Sequence, residues 1–200
     1  MVKRRFGVSV LLIAITLGLV FASSALAQTR LKKTKLTKSD RAAWRKILGW
    51  PGECEEAFQK TYRSNEYAGL EFFHLAPKQY LVQVTCYPGA YQPGYILMFY
   101  DEALGKANLL KLKRYEREEN GRVTSYVESE ILGLPTFNAK TKELEIFSKS
   151  RGPGDCGYLA TYTFINGKPV VKEARAQACN SDADFNRVHN PRRWPKVAKP

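Results

Sequence analysis

The stretch that decides the fold runs from residue 150 to residue 179 and reads SRGPGDCGYLATYTFINGKPVVKEARAQAC. It contains a Gly-rich turn, an Asn-Gly dipeptide, and two segments in which apolar and polar residues alternate. An Asn-Gly between two alternating segments predicts a β-hairpin closed by a two-residue turn. The register that follows predicts the pairs Ile165–Lys168, Tyr162–Val171, Tyr158–Arg175 and Cys156–Gln177.

The same hairpin predicts how the four cysteines pair, although four cysteines allow three connectivities. Cys179 lies one pleat beyond the position opposite Cys156 and on the same face, so a Cys156–Cys179 bridge is favoured, with a small bulge to reach disulfide geometry. Cys54–Cys86 then follows by elimination. The alternative is a metal site, but the chain has no CxxC pair, and its two histidines (His74 and His189) are not spaced as ligands. We predict two structural disulfides, with no metal and no cofactor.

A second Asn-Gly, at residues 120 and 121, predicts another hairpin. A two-residue turn there places Glu119 opposite Arg122. Stepping outward along both strands gives the pairs Tyr115–Tyr126, Lys113–Glu128, Lys111–Glu130 and Leu110–Ile131. The complementary charges and the aromatic pair favour this register, because cross-strand pairs stabilise a sheet.

The rest of the chain predicts one short helix and further strands. Residues 38–51 carry an apolar stripe between Ser39 or Asp40, either of which can cap a helix, and Gly49 with Pro51, which end it. Residues 80–86, 95–100 and 144–149 alternate as strands. The predicted fold class is mainly β (α+β): a single antiparallel β-rich domain over residues 39–200, with a short N-terminal helix and two disulfides.

The first 27 residues have the features of a signal peptide. Lys3, Arg4 and Arg5 precede an apolar run, and Ala25-Leu26-Ala27 provides the small-x-small cleavage pattern. An uncleaved signal anchor is the alternative, because the apolar run approaches membrane-spanning length. With cleavage we expect no stable membrane span and a periplasmic or secreted protein.

Part of the net charge of +13 lies in residues 28–38, which we predict to be a basic flexible tail. The functional alternative is adhesion of this tail to an anionic surface. Nucleic acid is not expected as a partner of an exported chain.

Two groups of side chains are candidates for ligand binding. Tyr87, Tyr91 and Tyr95 flank a Pro-Gly loop and form either an exposed aromatic platform or a cover over the core. In the predicted register Tyr158, Glu173 and Arg175 share one face, where they could bind a polar ligand such as a glycan. The alternative for the second group is a cross-strand polar network.

Catalytic motifs are absent or incomplete. Residues 152–157 match GxGxxG, but a β-like segment follows where a dinucleotide site needs a helix, so we predict a turn. Residues 182–186 resemble the start of a calcium loop without its glycine and distal glutamate. We predict no catalytic residues. An enzyme would need at least two of Asp155, Glu173, Arg175 and His74 to meet in one pocket.

Three further segments point to a known family. Residues 86–92 read CYPGAYQ, residues 151–157 read RGPGDCG, and Trp194-Pro195 follow the last cysteine. Together they resemble the domain-of-unknown-function 1176 family of exported bacterial proteins, with Gln92 standing where that family's element has asparagine. The resemblance implies a bacterial envelope protein and carries no established reaction.

The sequence therefore predicts an exported, non-enzymatic binding module whose partner is an envelope glycan, an anionic surface or another envelope protein. One alternative is an envelope hydrolase with a site around Asp155 and Glu173. Another is a structural envelope protein without a small ligand.

Overall fold

The computed structural model describes residues 39–62, 67–179 and 189–198. Helices α1 (Arg41–Leu48) and α2 (Gly52–Thr61) come first, and a short 3₁₀ helix (Pro191–Arg193) lies near the end. The strands are β1 (Leu70–Ala76), β2 (Gln79–Tyr87), β3 (Gly94–Asp101), β4 (Lys106–Leu109), β5 (Leu112–Arg117), β6 (Val123–Glu128), β7 (Glu130–Leu132), β8 (Leu134–Asn138), β9 (Glu143–Lys149), β10 (Gly157–Ile165), β11 (Lys168–Gln177) and β12 (Lys196–Ala198). The predicted signal peptide, basic tail and calcium-like segment lie outside the described residues. Within those residues, no helix is long and apolar enough to cross a membrane.

The described strands form three antiparallel sheets. The first has the order β1-β2-β3-β4, and β7 also pairs with β3, at residues 94–96. The second has the order β12-β11-β10-β9-β8, and β5 and β6 form a two-stranded hairpin. The predicted mainly-β antiparallel fold class is therefore confirmed.

Two apolar clusters lie on opposite faces of the first sheet. One joins the two five-stranded sheets and includes Leu81, Leu97, Ile146 and Tyr162. The other joins the first sheet to the helical region and includes Trp50 and Val84. Because β2 contributes to both clusters, its sequence is apolar at consecutive positions rather than strictly alternating.

The predicted helix is present as α1, with the predicted ends. The Asp40 side chain accepts a hydrogen bond from the Ala43 N–H (3.1 Å), and Gly49 ends the helix at a φ of 64°. Helix α2 was not predicted. It starts directly after Pro51, which favours the first turn of a helix as readily as it ends one, and its only large buried apolar side chain is Phe58.

The 166–167 hairpin has the predicted turn but not the whole predicted register. Asn166 and Gly167 both have positive φ (50° and 73°), as a two-residue hairpin turn requires, and Tyr162 pairs with Val171 as predicted. Thr161 then pairs with Glu173, so Lys172 is an extra residue in the ladder. This β-bulge shifts the remaining pairs, which are Tyr158–Ala176, Leu159–Arg175 and Gly157–Gln177. The predicted Tyr158–Arg175 and Cys156–Gln177 pairs are wrong.

The 120–121 hairpin forms with a longer loop than predicted. The Gly121 N–H donates to the Glu118 carbonyl, the Glu118 N–H donates to the Arg122 carbonyl, and Gly121 has a φ of 86°. This is a three-residue loop, in which a glycine in the left-handed region follows a turn. The strands are displaced by one residue and pair as Tyr115–Ser125, Arg114–Tyr126, Lys113–Val127 and Leu112–Glu128. The register predicted for this hairpin is wrong, and Ile131 pairs with Tyr95 of β3 rather than with Leu110.

Both predicted disulfides are confirmed. Cys54–Cys86 joins α2 to β2, and Cys156–Cys179 joins the residues flanking β10 and β11. The Cα–Cα distances, 4.6 and 4.8 Å, are ordinary for disulfides. Two structural disulfides indicate an oxidising, extracytoplasmic environment.

Arg41 attaches the helices to the first sheet from a buried position. Its Nε donates to Glu55 Oε2 (2.9 Å), its Nη1 to the Ala68 carbonyl (2.9 Å) and its Nη2 to the Thr85 carbonyl (3.2 Å). The guanidinium also lies 3.6 Å from the centre of the Phe58 ring. All three nitrogens of this buried group are therefore hydrogen-bonded.

Replacing Arg41 with alanine should lower the free energy of unfolding by about 3–5 kcal/mol, because Glu55 would stay buried without its counter-ion. Urea unfolding measures the loss. Lys46→Ala, an exposed change on the same helix, is the matched control and should alter stability by about 0.5 kcal/mol or less. Equal losses in both variants would contradict this role for Arg41.

Candidate functional site

A cavity of about 780 Å³ lies beside the β5–β6 hairpin, and we call it the hairpin cavity. Its walls come from β5, β6 and their loop, and from the neighbouring ends of β7, β9, β10 and β11. Side chains on these walls include Gln92, Arg114, Tyr115, Glu116, Arg117, Tyr126, Glu128, Glu130, Lys149, Tyr158 and Gln177. The volume falls within the range of pockets that hold small-molecule ligands.

Arg114 is the buried cation of this cavity. Strand alternation places it on the same face of β5 as the core residue Leu112, and it is only 7% exposed. Its guanidinium carbon lies 4.3 Å from the centre of the Tyr158 ring, and its Nη1 lies 3.1 Å from Glu128 Oε1. Tyr126, its cross-strand partner, also hydrogen-bonds to the guanidinium. The hairpin register brings Tyr126 and Glu128 to the face of Arg114 and so makes this contact set.

The Arg114–Glu128 pair has hydrogen-bonding capacity that the described residues do not use. Arg114 Nε and Nη1 and Glu128 Oε1 are buried and have no hydrogen-bond partner there, because the close approach of Nη1 and Oε1 is not aligned as a hydrogen bond. The Tyr95 hydroxyl is also buried without a hydrogen-bond partner, and the charges of Arg114 and Glu128 act on its pKa in opposite directions. Arg41, equally buried, is fully hydrogen-bonded. Buried polar atoms without partners are costly, and because Arg114 and Glu128 both line the cavity, a small shift of either side chain would bring the unused atoms to a ligand or an ordered water there.

Burial also changes the proton affinities at this site. It raises the pKa of Glu128, although the positive charge of Arg114 opposes the rise. It raises the pKa of Tyr158 to about 12, so this phenol stays neutral at physiological pH. A carboxyl group with a raised pKa beside a cation in a cavity is a frequent property of functional sites.

The charge of the cavity differs from that of the whole chain. Carboxylates outnumber cations on its walls, with Glu116, Glu118, Glu119, Glu128 and Glu130 against Arg114, Arg117 and Lys149. Glu118 forms an ion pair with Arg122, and Glu130 accepts a hydrogen bond from the Tyr87 hydroxyl (2.6 Å). The net positive charge of the chain therefore does not come from this site.

The three predicted loop tyrosines do not form one platform. Tyr95 is fully buried in the core, so for this residue the core alternative is correct. Tyr91 is 66% exposed and its ring lies against Gly152. Tyr87 is half-buried, and burial together with the Glu130 carboxylate raises its pKa to about 12. The Gln92 side chain lies on a wall of the hairpin cavity, and its amide bonds the backbone N–H and carbonyl of Lys149 (2.9 and 3.0 Å).

Tyr158, Glu173 and Arg175 do not share a face, and that prediction is wrong. The bulge at Lys172 reverses the alternation, so Tyr158 faces the core between the sheets while Glu173 and Arg175 lie on the outer face. There Arg175 Nε donates to Glu173 Oε1 (2.6 Å), and its Nη1 donates to the Trp194 carbonyl (2.8 Å). They line a cavity of about 270 Å³. Glu173 and Arg175 therefore belong to a polar network, which was the predicted alternative to ligand binding.

Of the four residues on which an enzyme would depend, Glu173 and Arg175 meet in the second cavity, where they form an ion pair, whereas Asp155 and His74 do not join them. Asp155 pairs with Arg151, which holds its pKa below the ordinary value, and it lines neither of the two cavities. Glu173 lines only the second cavity, and the exposed His74 on β1 has its ring 5.7 Å from that of Tyr80. Over residues 39–62, 67–179 and 189–198, no cluster of His, Cys, Asp or Glu could hold a metal ion.

The sequence reasoning did not identify Arg114 and Glu128 as site residues. The predicted register placed Lys113 opposite Glu128 and left Arg114 on the other face. The period-two pair Leu112 and Arg114 indicated that Arg114 faces the core, but only a loop of three residues brings Glu128 to the same face. A one-residue change of loop length exchanges the faces of a strand.

Comparison of the chain with protein-family models, with curated proteins and with solved structures finds no match. The resemblance to the domain-of-unknown-function 1176 family therefore stays a prediction.

The raised pKa of Glu128 predicts an acid-side effect on stability. The folded protein binds this proton more tightly than the unfolded chain, so ionised Glu128 destabilises the fold, and the penalty is relieved as pH falls from neutral towards the ordinary pKa of a glutamate. The wild type should gain stability relative to Glu128→Gln over that interval in urea unfolding.

Asp155→Asn is the control, because the stability that this carboxylate contributes should change with pH in the opposite direction. Because the pKa of Asp155 is lowered, the stability that its carboxylate contributes is present near neutral pH and declines in acid. A wild-type advantage over Glu128→Gln that stays constant or shrinks with falling pH would contradict the assignment.

Proposed function

We propose that this chain is an exported, non-catalytic binding protein of a bacterial envelope, and that a polar ligand occupies the hairpin cavity. The observation that carries the proposal is Arg114, a buried guanidinium on a cavity wall with donors that the described residues do not use. Two disulfides support an extracytoplasmic location, and the family resemblance supports a bacterial envelope. We also propose that residues 1–27 are a signal peptide and that the protein is periplasmic or secreted.

The geometry supports binding more than catalysis. The cavity combines tyrosine side chains with five carboxylates and three cations, groups that can orient a polar ligand by hydrogen bonds. The hydrolase alternative has less support, because Asp155 and Glu173 line no common cavity, and the Glu173 carboxylate in the second cavity is ion-paired to Arg175. The proposed partner is an envelope glycan or another envelope protein, and the basic residues 28–38 provide attraction to an anionic surface.

A thermal-shift measurement tests the proposal. Mature protein is heated with fractions of periplasmic extract and of digested cell wall, and at least one fraction should raise the Tm, because a ligand that binds only the folded state stabilises it. Arg114→Gln should lose the shift. Arg122→Gln, an exposed arginine of the same hairpin, should keep it.

The proposal fails if no fraction raises the Tm of the wild type. It also fails if Arg114→Gln, shown to be folded by circular dichroism, responds as the wild type does.

A further inference from the structure

The unused hydrogen-bonding groups of the hairpin cavity define the chemistry of what can bind there. Arg114 Nε and Nη1 can only donate, whereas Glu128 Oε1 accepts when ionised, and Nη1 and Oε1 lie 3.1 Å apart. A ligand carboxylate or phosphate would satisfy Arg114 but meet the like charge of Glu128. An ammonium group would satisfy Glu128 but meet the like charge of Arg114.

A hydroxyl group matches both residues, because its oxygen accepts and its hydrogen donates. Two hydroxyls on neighbouring carbons can accept from a guanidinium and donate to a carboxylate side by side. Water has the same capacity, and ligand hydroxyls can replace an ordered water when they reproduce its hydrogen bonds. The site therefore favours an uncharged ligand with many hydroxyls.

We propose that the hairpin cavity binds a neutral saccharide, with neighbouring hydroxyls bonded to Arg114 and Glu128. This inference rests on the proposed function and names the ligand class of the same site.

The aromatic wall of the cavity suits such a ligand. Tyr126 lies on the wall and is 45% exposed, so its ring is accessible, whereas Arg114 covers the ring of Tyr158. A phenol ring offers an apolar surface to the C–H face of a sugar and keeps a polar end toward water. The volume of about 780 Å³ exceeds what a single water or ion needs and accommodates a short oligosaccharide.

Charge around the cavity disfavours acidic saccharides. The walls carry more carboxylates than cations, so an anionic chain would be repelled at the entrance. A cationic saccharide would be attracted there but would then meet buried Arg114. Neutral sugars avoid both costs.

Isothermal titration calorimetry with matched trisaccharides tests the inference. The neutral probes are cellotriose, maltotriose and the N-acetylglucosamine trimer, the cationic probe is the glucosamine trimer, and the anionic probe is the galacturonate trimer. At least one neutral probe should bind more tightly than both charged probes. Tighter binding of a charged probe would overturn the inference, and so would the absence of binding by all three neutral probes.

Variants assign the binding to this cavity. Arg114→Gln and Glu128→Gln should each weaken the neutral saccharide about tenfold or more, because each removes a charged hydrogen-bond partner. Tyr126→Ala should weaken it about fivefold, while Tyr126→Phe keeps the ring and most of the affinity. Since Tyr126 is partly exposed, its variants remain informative if a buried substitution prevents folding.

The variants and extracts also separate this inference from the proposed function. Unchanged affinity in folded Arg114→Gln and in Tyr126→Ala would overturn the saccharide assignment to this site. If extract fractions still stabilise the wild type through Arg114 while no neutral probe binds, the saccharide inference fails and the proposed function stands. If neither extract nor probe acts, both fail.

Discussion

Two buried arginines constrain the packing of this structure, because a guanidinium removed from water is stable only when its charge and donors are compensated. Arg41 is compensated within the described chain, by Glu55 and by two backbone carbonyls. That compensation fixes the helices against the first sheet. Arg114 is compensated only in part, by Glu128 and by the Tyr158 ring. Arg41 is therefore a structural residue of the fold, whereas Arg114 keeps hydrogen-bond donors for a ligand.

The surroundings of Arg114 and Tyr158 depend on two irregularities in otherwise regular hairpins. Arg114 and Tyr158 face inward through the alternation of β5 and β10 themselves, and the three-residue loop at Glu119–Gly121 brings Tyr126 and Glu128 of β6 to the face of Arg114. A two-residue loop would instead point Tyr126 and Glu128 away from Arg114, and the extra residue Lys172 turns Glu173 and Arg175 of β11 away from the face of Tyr158. The cavity is therefore a product of register rather than of any local sequence motif.

Much of the fold could be predicted from the sequence, whereas the site could not. The Asn166–Gly167 turn, the cap at Asp40 and the two cysteine pairs are local or follow from near neighbours, and each is confirmed. Face assignments far from a turn depend on every intervening residue, so the bulge at Lys172 separated Tyr158 from Glu173 and Arg175. Helix α2 was missed because its burial comes from tertiary packing rather than from an apolar stripe.

The most direct measurement is a crystal structure of the mature protein grown with the neutral trisaccharide of highest affinity. We expect sugar density in the hairpin cavity, with hydroxyl oxygens within about 3.2 Å of Arg114 Nε and of a Glu128 carboxylate oxygen. Arg114 Nε hydrogen-bonded to another group of the protein, or the saccharide bound elsewhere with the cavity holding only water, would contradict this expectation.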